Sequence, residues 1–170
     1  MQKVGFGGSC HWCTEAIFRS LKGVTAVEQG WISSHGEHSV PSEAVIVHFD
    51  RAVIDLKTLV AVHLHTHSCT AQHSMRSKYR SAVYTYNDHQ SGEARQAVGE
   101  LQSEFLEPII TKVLSFGSFK LNEETYLDYY YKNPEKPFCQ NIVNPKLQEL
   151  IRRFPHNISP EREAQLAGLH

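Results

Sequence analysis

The sequence predicts an α+β fold, arranged as a two-layer sandwich with one mixed sheet, and two observations support that class. Short apolar segments rich in β-branched residues alternate with longer segments of helical periodicity, which indicates strands separated by helices. Two strand candidates, residues 24–31 and 43–49, are joined only by a polar loop, so this pair has no helix between its members. A strictly repeating parallel fold needs a helix at every crossover, and a mixed sheet is therefore favoured.

In the first half of the chain, turn and capping residues set the ends of each element. Residues 2–6 form an apolar strand candidate, and a glycine-rich turn at residues 7–9 separates it from a helical run over residues 13–21. After the strand pair, Asp55 is placed to cap a helix over residues 56–65.

The second half has shorter apolar segments, and its prolines and asparagines mark where helices start and stop. Residues 69–78 contain few apolar side chains and predict a loop. The other predicted elements are strands over residues 81–86 and 108–116, a helix from Asn87 or Asp88 to about residue 105, a helix over residues 123–131, and a helix over residues 145–154 capped by Asn144.

Size and composition allow one sizeable hydrophobic core, since the chain has 170 residues of which 41% are apolar. We expect one catalytic domain over residues 1–155, a polar tail over residues 156–170, and a monomer. The 17 basic and 18 acidic side chains nearly cancel, so no net field would draw the protein to nucleic acid or an anionic membrane. No segment has the apolar length of a signal peptide or a membrane span, which favours a cytoplasmic location.

The four cysteines are the most informative residues. A reducing compartment disfavours structural disulfides, so Cys10, Cys13, Cys69 and Cys139 are candidates for catalysis, redox chemistry, metal binding or simple burial. Cys10 falls where the first strand turns into the first helix, and unpaired N–H groups at a helix N-terminus lower the pKa of a thiol. Cys10 is therefore the candidate nucleophile.

The residues after Cys10 strengthen this interpretation. His11 can donate a hydrogen bond or a positive charge, Trp12 offers an apolar wall, and Cys13 completes a Cys-x-x-Cys pair that can close a disulfide. The pair can also be two small half-buried residues at a helix start. A zinc site is disfavoured because no second Cys-x-x-Cys follows.

Several blocks of sequence, in order along nearly the whole chain, resemble those of the peptide methionine sulfoxide reductase A family. Residues 8–18, GSCHWCTEAIF, resemble the family's Gly-Cys-Phe-Trp-Gly-x-Glu turn, and Glu43 begins a segment similar to its acidic strand start. The other similar blocks are KYRSAVY at residues 78–84, like the family's Gln-Tyr-Arg-Ser strand, and YYKNP at residues 130–134 followed by PFCQ at residues 137–140, like its C-terminal segment.

The resemblance implies a ferredoxin-like core and a role for each matching residue. Cys10 would attack the sulfur of methionine sulfoxide, in its S epimer, and Glu43 would supply a proton to the departing oxygen. A carboxylic acid suits that role because sulfoxide oxygen is a poor leaving group until it is protonated. Tyr79 would hold the oxygen, Trp12 would receive the substrate methyl group, and His11 would also contact the substrate.

The reaction would leave Cys10 as a sulfenic acid, which a second thiol resolves to a disulfide. Cys139 matches the family's resolving position, while Cys13 is an added candidate where many members carry glycine. We favour Cys139, narrowly. No bound cofactor is implied, and a thioredoxin-like partner would reduce the disulfide.

Three departures from the family pattern bear on the substrate. His11 replaces a phenylalanine, the loop before Glu43 is short and lacks a second oxygen-holding tyrosine, and residues 72–76, QHSMR, replace a segment that carries an aspartate, with Ser74 nearest in position. The network that orients Tyr79 must then be rebuilt or lost. An enzyme of this kind acting on another sulfoxide or oxidised sulfur compound is the alternative.

Two other classes of function remain open. The first is a metal-binding protein, because His63, His67, Cys69 and His73 lie in one short stretch and have side chains that bind zinc or copper. On a helix His63 and His67 are one turn apart, whereas His65 points away. The second is a general dithiol oxidoreductase that uses Cys10 and Cys13, although the surrounding βαβ pattern of such enzymes is missing.

Overall fold

A computed structural model describes residues 1–169 and contains a six-stranded sheet in the order β5-β4-β1-β3-β2-β6. Every neighbouring pair is antiparallel except β4 and β5, which are parallel, so the predicted mixed sheet is confirmed. The strands are β1 (Gln2–Gly7), β2 (Val24–Ser33), β3 (Ser42–Phe49), β4 (Ala82–Thr85), β5 (Lys112–Ser115) and β6 (Ser118–Leu121).

The helices cover the sheet and bury its central strands between apolar layers. The helices are α1 (His11–Arg19), α2 (Leu56–His65), α3 (Asp88–Leu101), α4 (Tyr129–Lys132), α5 (Asn144–Arg153) and α6 (Pro160–Leu166). Alternate residues of β3 show the period-two pattern of a strand: Val45 and Val47 pack in the main core, while Ala44 and Ile46 belong to a smaller cluster. Asp55 caps α2 as predicted, its side chain accepting the N–H of Thr58 at 2.8 Å.

The predicted strand over residues 108–116 and helix over residues 123–131 are only partly present. Regular pairing starts at Lys112, and the short edge strand β6 follows after a single turn, which the sequence did not indicate. The helix is broken because Asp128 has a left-handed backbone with φ of 53°. A 3₁₀ turn at Glu124–Tyr126 precedes this residue and the one-turn helix α4 follows it.

The C-terminal region holds two further differences from expectation. Asn144 does not cap α5, because a π-helical turn at Cys139–Val143 runs directly into it. The predicted polar tail contains helix α6 and buries Ile158 and Leu166 against the main core. The last residue of that tail, His170, lies outside the described residues. Within residues 1–169, no helix has the length and apolarity needed to cross a membrane.

Candidate active site

The turn that carries Cys10 is fixed by backbone geometry. Gly8 has a φ of 148°, a region that side-chain-bearing residues rarely adopt, and a Cβ at Gly8 would lie 2.5 Å from the His67 ring. Cys10 is the N-cap residue of α1, and its carbonyl accepts the N–H groups of Cys13 and Thr14 at 3.1 and 3.2 Å. The thiol therefore stands at the positive end of the helix dipole.

This position lowers the pKa of the Cys10 thiol. The largest cause is a hydrogen bond from the Cys13 thiol, and the backbone N–H groups of Trp12 and Cys13 act in the same direction. Partial burial and the negative charge of Glu43 oppose this lowering without cancelling it. Cys10 is half-buried, so a thiolate here is accessible to a substrate.

The other two candidate thiols are shielded from solvent. Cys13 and Cys139 are both fully buried, and all four cysteines are free. The hydrogen bond to Cys10 and burial raise the pKa of Cys13, while burial raises the pKa of Cys139. Cys13 is thus held as a neutral thiol that donates to Cys10.

Glu43 lies against the same helix end. Its Oε1 accepts the backbone N–H of His11 at 3.2 Å and lies 3.5 Å from His11 Nε2, and the residue is 7% exposed. Its Oε2 lies 3.6 Å from the Lys78 ammonium. The carboxylate and the thiol therefore share the N-terminus of α1, and the charge of Glu43 acts on Cys10.

His11 is buried on the sheet side of this helix end. Its Nδ1 lies 2.9 Å from the Gly30 carbonyl, which can only accept, so Nδ1 carries a proton. Its Nε2 accepts from the Asn122 amide at 3.4 Å, and that amide also donates to Gln29 at 2.7 Å. His11 thus belongs to a buried polar row beside Glu43, and it does not line the cavity described below.

Trp12 belongs to an aromatic cluster. Its indole stacks on Tyr129 with 4.0 Å between ring centroids, and Phe138 meets it edge-on at 5.4 Å. Of these three rings, only Phe138 lines the cavity next to Cys10.

A cavity of about 340 Å³ opens beside Cys10. Cys10, Cys13 and Tyr79 line this cavity, whereas Glu43 does not. The other lining residues are Gly8, Ser9, Ser68, His73, Met75, Phe138, Ile142 and Lys146. Lys146 donates to the Thr66 carbonyl at 2.8 Å, and its charge favours the thiolate form of Cys13. No sequence pattern indicated Lys146 as part of the site, whereas Phe138 belongs to the C-terminal block that resembles the family.

Arg76 rebuilds the segment that departs from the family pattern. The guanidinium is buried and has carbonyl partners in place of a carboxylate. It donates to the carbonyls of Gly8 at 2.8 Å and Tyr79 at 2.9 Å, which ties the turn of Cys10 to the tyrosine. Two more bonds, to Ser68 at 2.6 Å and Ala71 at 2.9 Å, fix the loop.

In the histidine-rich stretch, His63 and His67 make hydrogen bonds within the fold. His63 Nε2 donates to the Gly7 carbonyl at 2.7 Å, while His67 lies 2.5 Å from the His63 carbonyl through Nδ1 and 2.7 Å from Ser81 Oγ through Nε2. Burial lowers the pKa of His63 to about 4 and that of His67 well below its usual value. In residues 1–169, no three His, Cys, Asp or Glu side chains form a group that could hold a metal ion.

An accessible thiol with a lowered pKa, a buried partner thiol and an adjacent carboxyl group are features typical of a thiol oxidoreductase. A family model described as peptide methionine sulfoxide reductase matches residues 2–158. A peptide methionine sulfoxide reductase MsrA of Chromobacterium violaceum is 34% identical over 92% of this chain and 98% of its own length. Another MsrA, from Acinetobacter baumannii, is 30% identical over 92% of this chain and 97% of its own length. The chain belongs to the peptide methionine sulfoxide reductase family, which confirms the predicted class of enzyme.

Solved structures give the same fold. Reduced Mxr1 from Saccharomyces cerevisiae matches with a TM-score of 0.73 and 21% identity, over 81% of this chain and 88% of its own. Methionine sulfoxide reductase A of Corynebacterium diphtheriae matches with a TM-score of 0.68 and 23% identity, over 78% of this chain and 75% of its own. Mxr1 in complex with Trx2 matches with a TM-score of 0.61 and 19% identity, over 75% of this chain and 84% of its own. These likenesses confirm the predicted α+β class.

Proposed function

We propose that this protein reduces the S epimer of methionine sulfoxide by attack of the Cys10 thiolate on the sulfoxide sulfur. The observation that carries the proposal is that a thiol of lowered pKa and the Glu43 carboxyl group share the N-terminus of α1. Tyr79, on the wall of the cavity, would hold the oxygen. Trp12 would support the apolar wall through Phe138.

Reduction of one sulfoxide consumes one thiolate, which is oxidised, and one proton, which the sulfoxide oxygen receives. The Cys10 thiolate forms a bond to the substrate sulfur, and the sulfoxide oxygen receives the proton of Glu43. The protonated oxygen then moves to Cys10 Sγ, while both the substrate sulfur–oxygen bond and the new bond between Cys10 and the substrate sulfur break, and methionine leaves with the electron pair. The products are methionine, which is the reduced partner, and the Cys10 sulfenic acid, which is the oxidised one. Attack by a second thiol then releases water and forms a disulfide.

Both Cys13 and Cys139 are candidates for that second thiol. Cys13 lies one helical turn from Cys10 at the start of α1, and its thiol acts on the Cys10 pKa, which supports a first disulfide between these two residues. Cys139 is buried, and its charge interacts with Cys13. We therefore propose that Cys13 resolves the sulfenic acid and that Cys139 can then accept the disulfide.

Replacing Cys13 by serine should leave the release of the first methionine intact and prevent the fast disulfide. We expect one equivalent of methionine per enzyme without reductant, and a sulfenic acid at Cys10 that dimedone traps. Cys139→Ser should still form the Cys10–Cys13 disulfide, as peptide mapping would show. A normal disulfide in Cys13→Ser together with a trapped sulfenic acid in Cys139→Ser would reverse the assignment.

An external dithiol must return the enzyme to its reduced form. Mxr1, a structural neighbour, has been crystallised with Trx2, which supports a thioredoxin-like reductant for this chain as well. The four free cysteines are in keeping with a reducing, cytoplasmic setting. No bound cofactor is part of the proposed reaction.

The decisive experiment is reduction of peptide-bound and free methionine sulfoxide, supplied as separate S and R epimers, with a small dithiol as electron donor. We expect the S epimer to be consumed and the R epimer to persist. Preference for a sulfoxide without a methionine skeleton would support the divergent-substrate alternative. Reduction of insulin disulfides without any sulfoxide reduction would support a general dithiol oxidoreductase.

A further inference from the structure

Lys78 is held next to the candidate proton donor by its backbone. Its carbonyl accepts the N–H of Glu43 at 3.0 Å and the hydroxyl of Ser42 at 2.9 Å. These two bonds join the loop before β4 to the first residues of β3. The Cα of Lys78 is therefore fixed, although 55% of its side chain is exposed.

The Lys78 ammonium bridges the two groups that are proposed to handle the sulfoxide oxygen. It lies 3.6 Å from Glu43 Oε2 and 5.2 Å from the centroid of the Tyr79 ring. Glu43 Oε1 already accepts the backbone N–H of the buried His11 at 3.2 Å. Oε2 is therefore the carboxyl oxygen that is left for a substrate, and the ammonium stands beside it.

The charge of Lys78 is stable in this place. The Tyr79 hydroxyl, and after it the Glu43 carboxylate, raise the pKa of the Lys78 ammonium. An ammonium with a raised pKa keeps its protons at neutral pH. It can donate hydrogen bonds throughout a catalytic cycle, while the proton that moves comes from Glu43.

We propose that Lys78 is a further catalytic residue, whose ammonium donates a hydrogen bond to the sulfoxide oxygen between Glu43 and Tyr79. The inference rests on the proposed function and names one more group in its site. Negative charge builds on the oxygen as the thiolate attacks and the sulfur–oxygen bond weakens. A cation beside Glu43 Oε2 stabilises that charge more in the transition state than in the bound substrate.

A role in stability alone makes a different prediction. The Lys78 side chain is exposed, so loss of its ion pair with Glu43 should barely change the thermal midpoint. Lys57, which pairs with Glu100 at 2.7 Å on the surface of α2, provides a matched control pair far from Cys10 in sequence.

The first test compares Lys78→Met, Lys78→Arg and the control Lys57→Met. Loss of an oxyanion donor typically costs about a hundredfold in rate, and methionine has no donor, so we expect Lys78→Met to lower kcat/KM by about tenfold to a hundredfold. Lys78→Arg should retain part of the activity, and Lys57→Met all of it. The loss should be uniform across the pH profile, because the ammonium does not transfer its proton. Wild-type activity in Lys78→Met would overturn the inference while leaving the proposed function intact.

The second test does not depend on turnover. In a Cys10→Ser background, binding of methionine sulfoxide is compared with binding of methionine, which lacks the oxygen, by nuclear magnetic resonance titration. We expect the protein with Lys78 to prefer the sulfoxide and Lys78→Met, which lacks a donor, to lose this preference. An equal preference in both proteins would refute a contact between Lys78 and the oxygen.

Discussion

Replacing Cys10 by serine is expected to lower kcat/KM for methionine sulfoxide by at least about 10⁴-fold, since removal of a nucleophile that acts as one unit with its partners costs this much or more. A serine hydroxyl at the same helix end is far from ionised at neutral pH and cannot form the sulfenic acid. The measurement is methionine release under saturating dithiol, with circular dichroism to verify the fold.

Cys69→Ala provides the matched control for this prediction. Cys69 is another free and buried thiol, but burial raises its pKa to about 11, so it is a poor nucleophile at neutral pH. We expect its loss to leave activity unchanged. Alkylation by iodoacetamide should be fastest at Cys10 and should continue below the usual pH range of thiols, because the Cys10 pKa is lowered. Substantial turnover in Cys10→Ser would exclude Cys10 as the nucleophile.

Local sequence patterns were sufficient to predict the position of Cys10. A strand followed by Gly7, Gly8 and a helical run has few ways to fold, and each of them places Cys10 at a helix start. Helix α2 was equally predictable, since Asp55 and the apolar periodicity after it are neighbours in sequence. Glu43, in contrast, was assigned only through the family resemblance, because a lone glutamate at a strand start has no distinctive pattern.

Contacts between distant segments account for what was missed. Arg76 lies in a polar loop of the sequence, and only the fold brings the carbonyls of Gly8 and Ser68 around its guanidinium. The burial of His11 depends on Gly30 and Asn122, residues from two other elements. His11 was expected to contact the substrate. In the structure its backbone N–H donates to Glu43 instead, and His11 does not line the cavity. Strand β6 was missed because a four-residue edge strand with alternating polar side chains resembles a loop.

The N-terminus of α1 brings Cys10 and Glu43 together, and the charge of each residue affects the other. Its N–H groups stabilise two negative groups, since Cys10 is the capping residue and the His11 N–H bonds the Glu43 carboxylate. The two charges repel each other, and Glu43 in fact raises the pKa of Cys10. Loss of the negative charge on Glu43 therefore favours the thiolate, so the state that is ready to donate a proton is also the state with the larger fraction of Cys10 thiolate.

Glu43→Gln tests this coupling, because it separates the two roles of the carboxyl group. General acid catalysis contributes about 10²- to 10⁴-fold, so kcat/KM for methionine sulfoxide should fall by about 10²-fold or more. The reactivity of Cys10 toward iodoacetamide, which needs no proton donor, should stay equal or increase, since removal of the negative charge lowers the Cys10 pKa further.

Glu28→Gln is the control for Glu43→Gln, because Glu28 is also a glutamate whose carboxylate lies next to a histidine. Glu28 on β2 lies 2.6 Å from His48, and its side chain is 42% exposed. Its replacement should alter neither sulfoxide reduction nor alkylation. If Glu43→Gln slowed both reactions to the same extent, the carboxyl group would act only by holding the end of α1 in place, and the proton would have to come from another group. A loss of sulfoxide reduction with undiminished alkylation is the result that a proton donor at residue 43 requires.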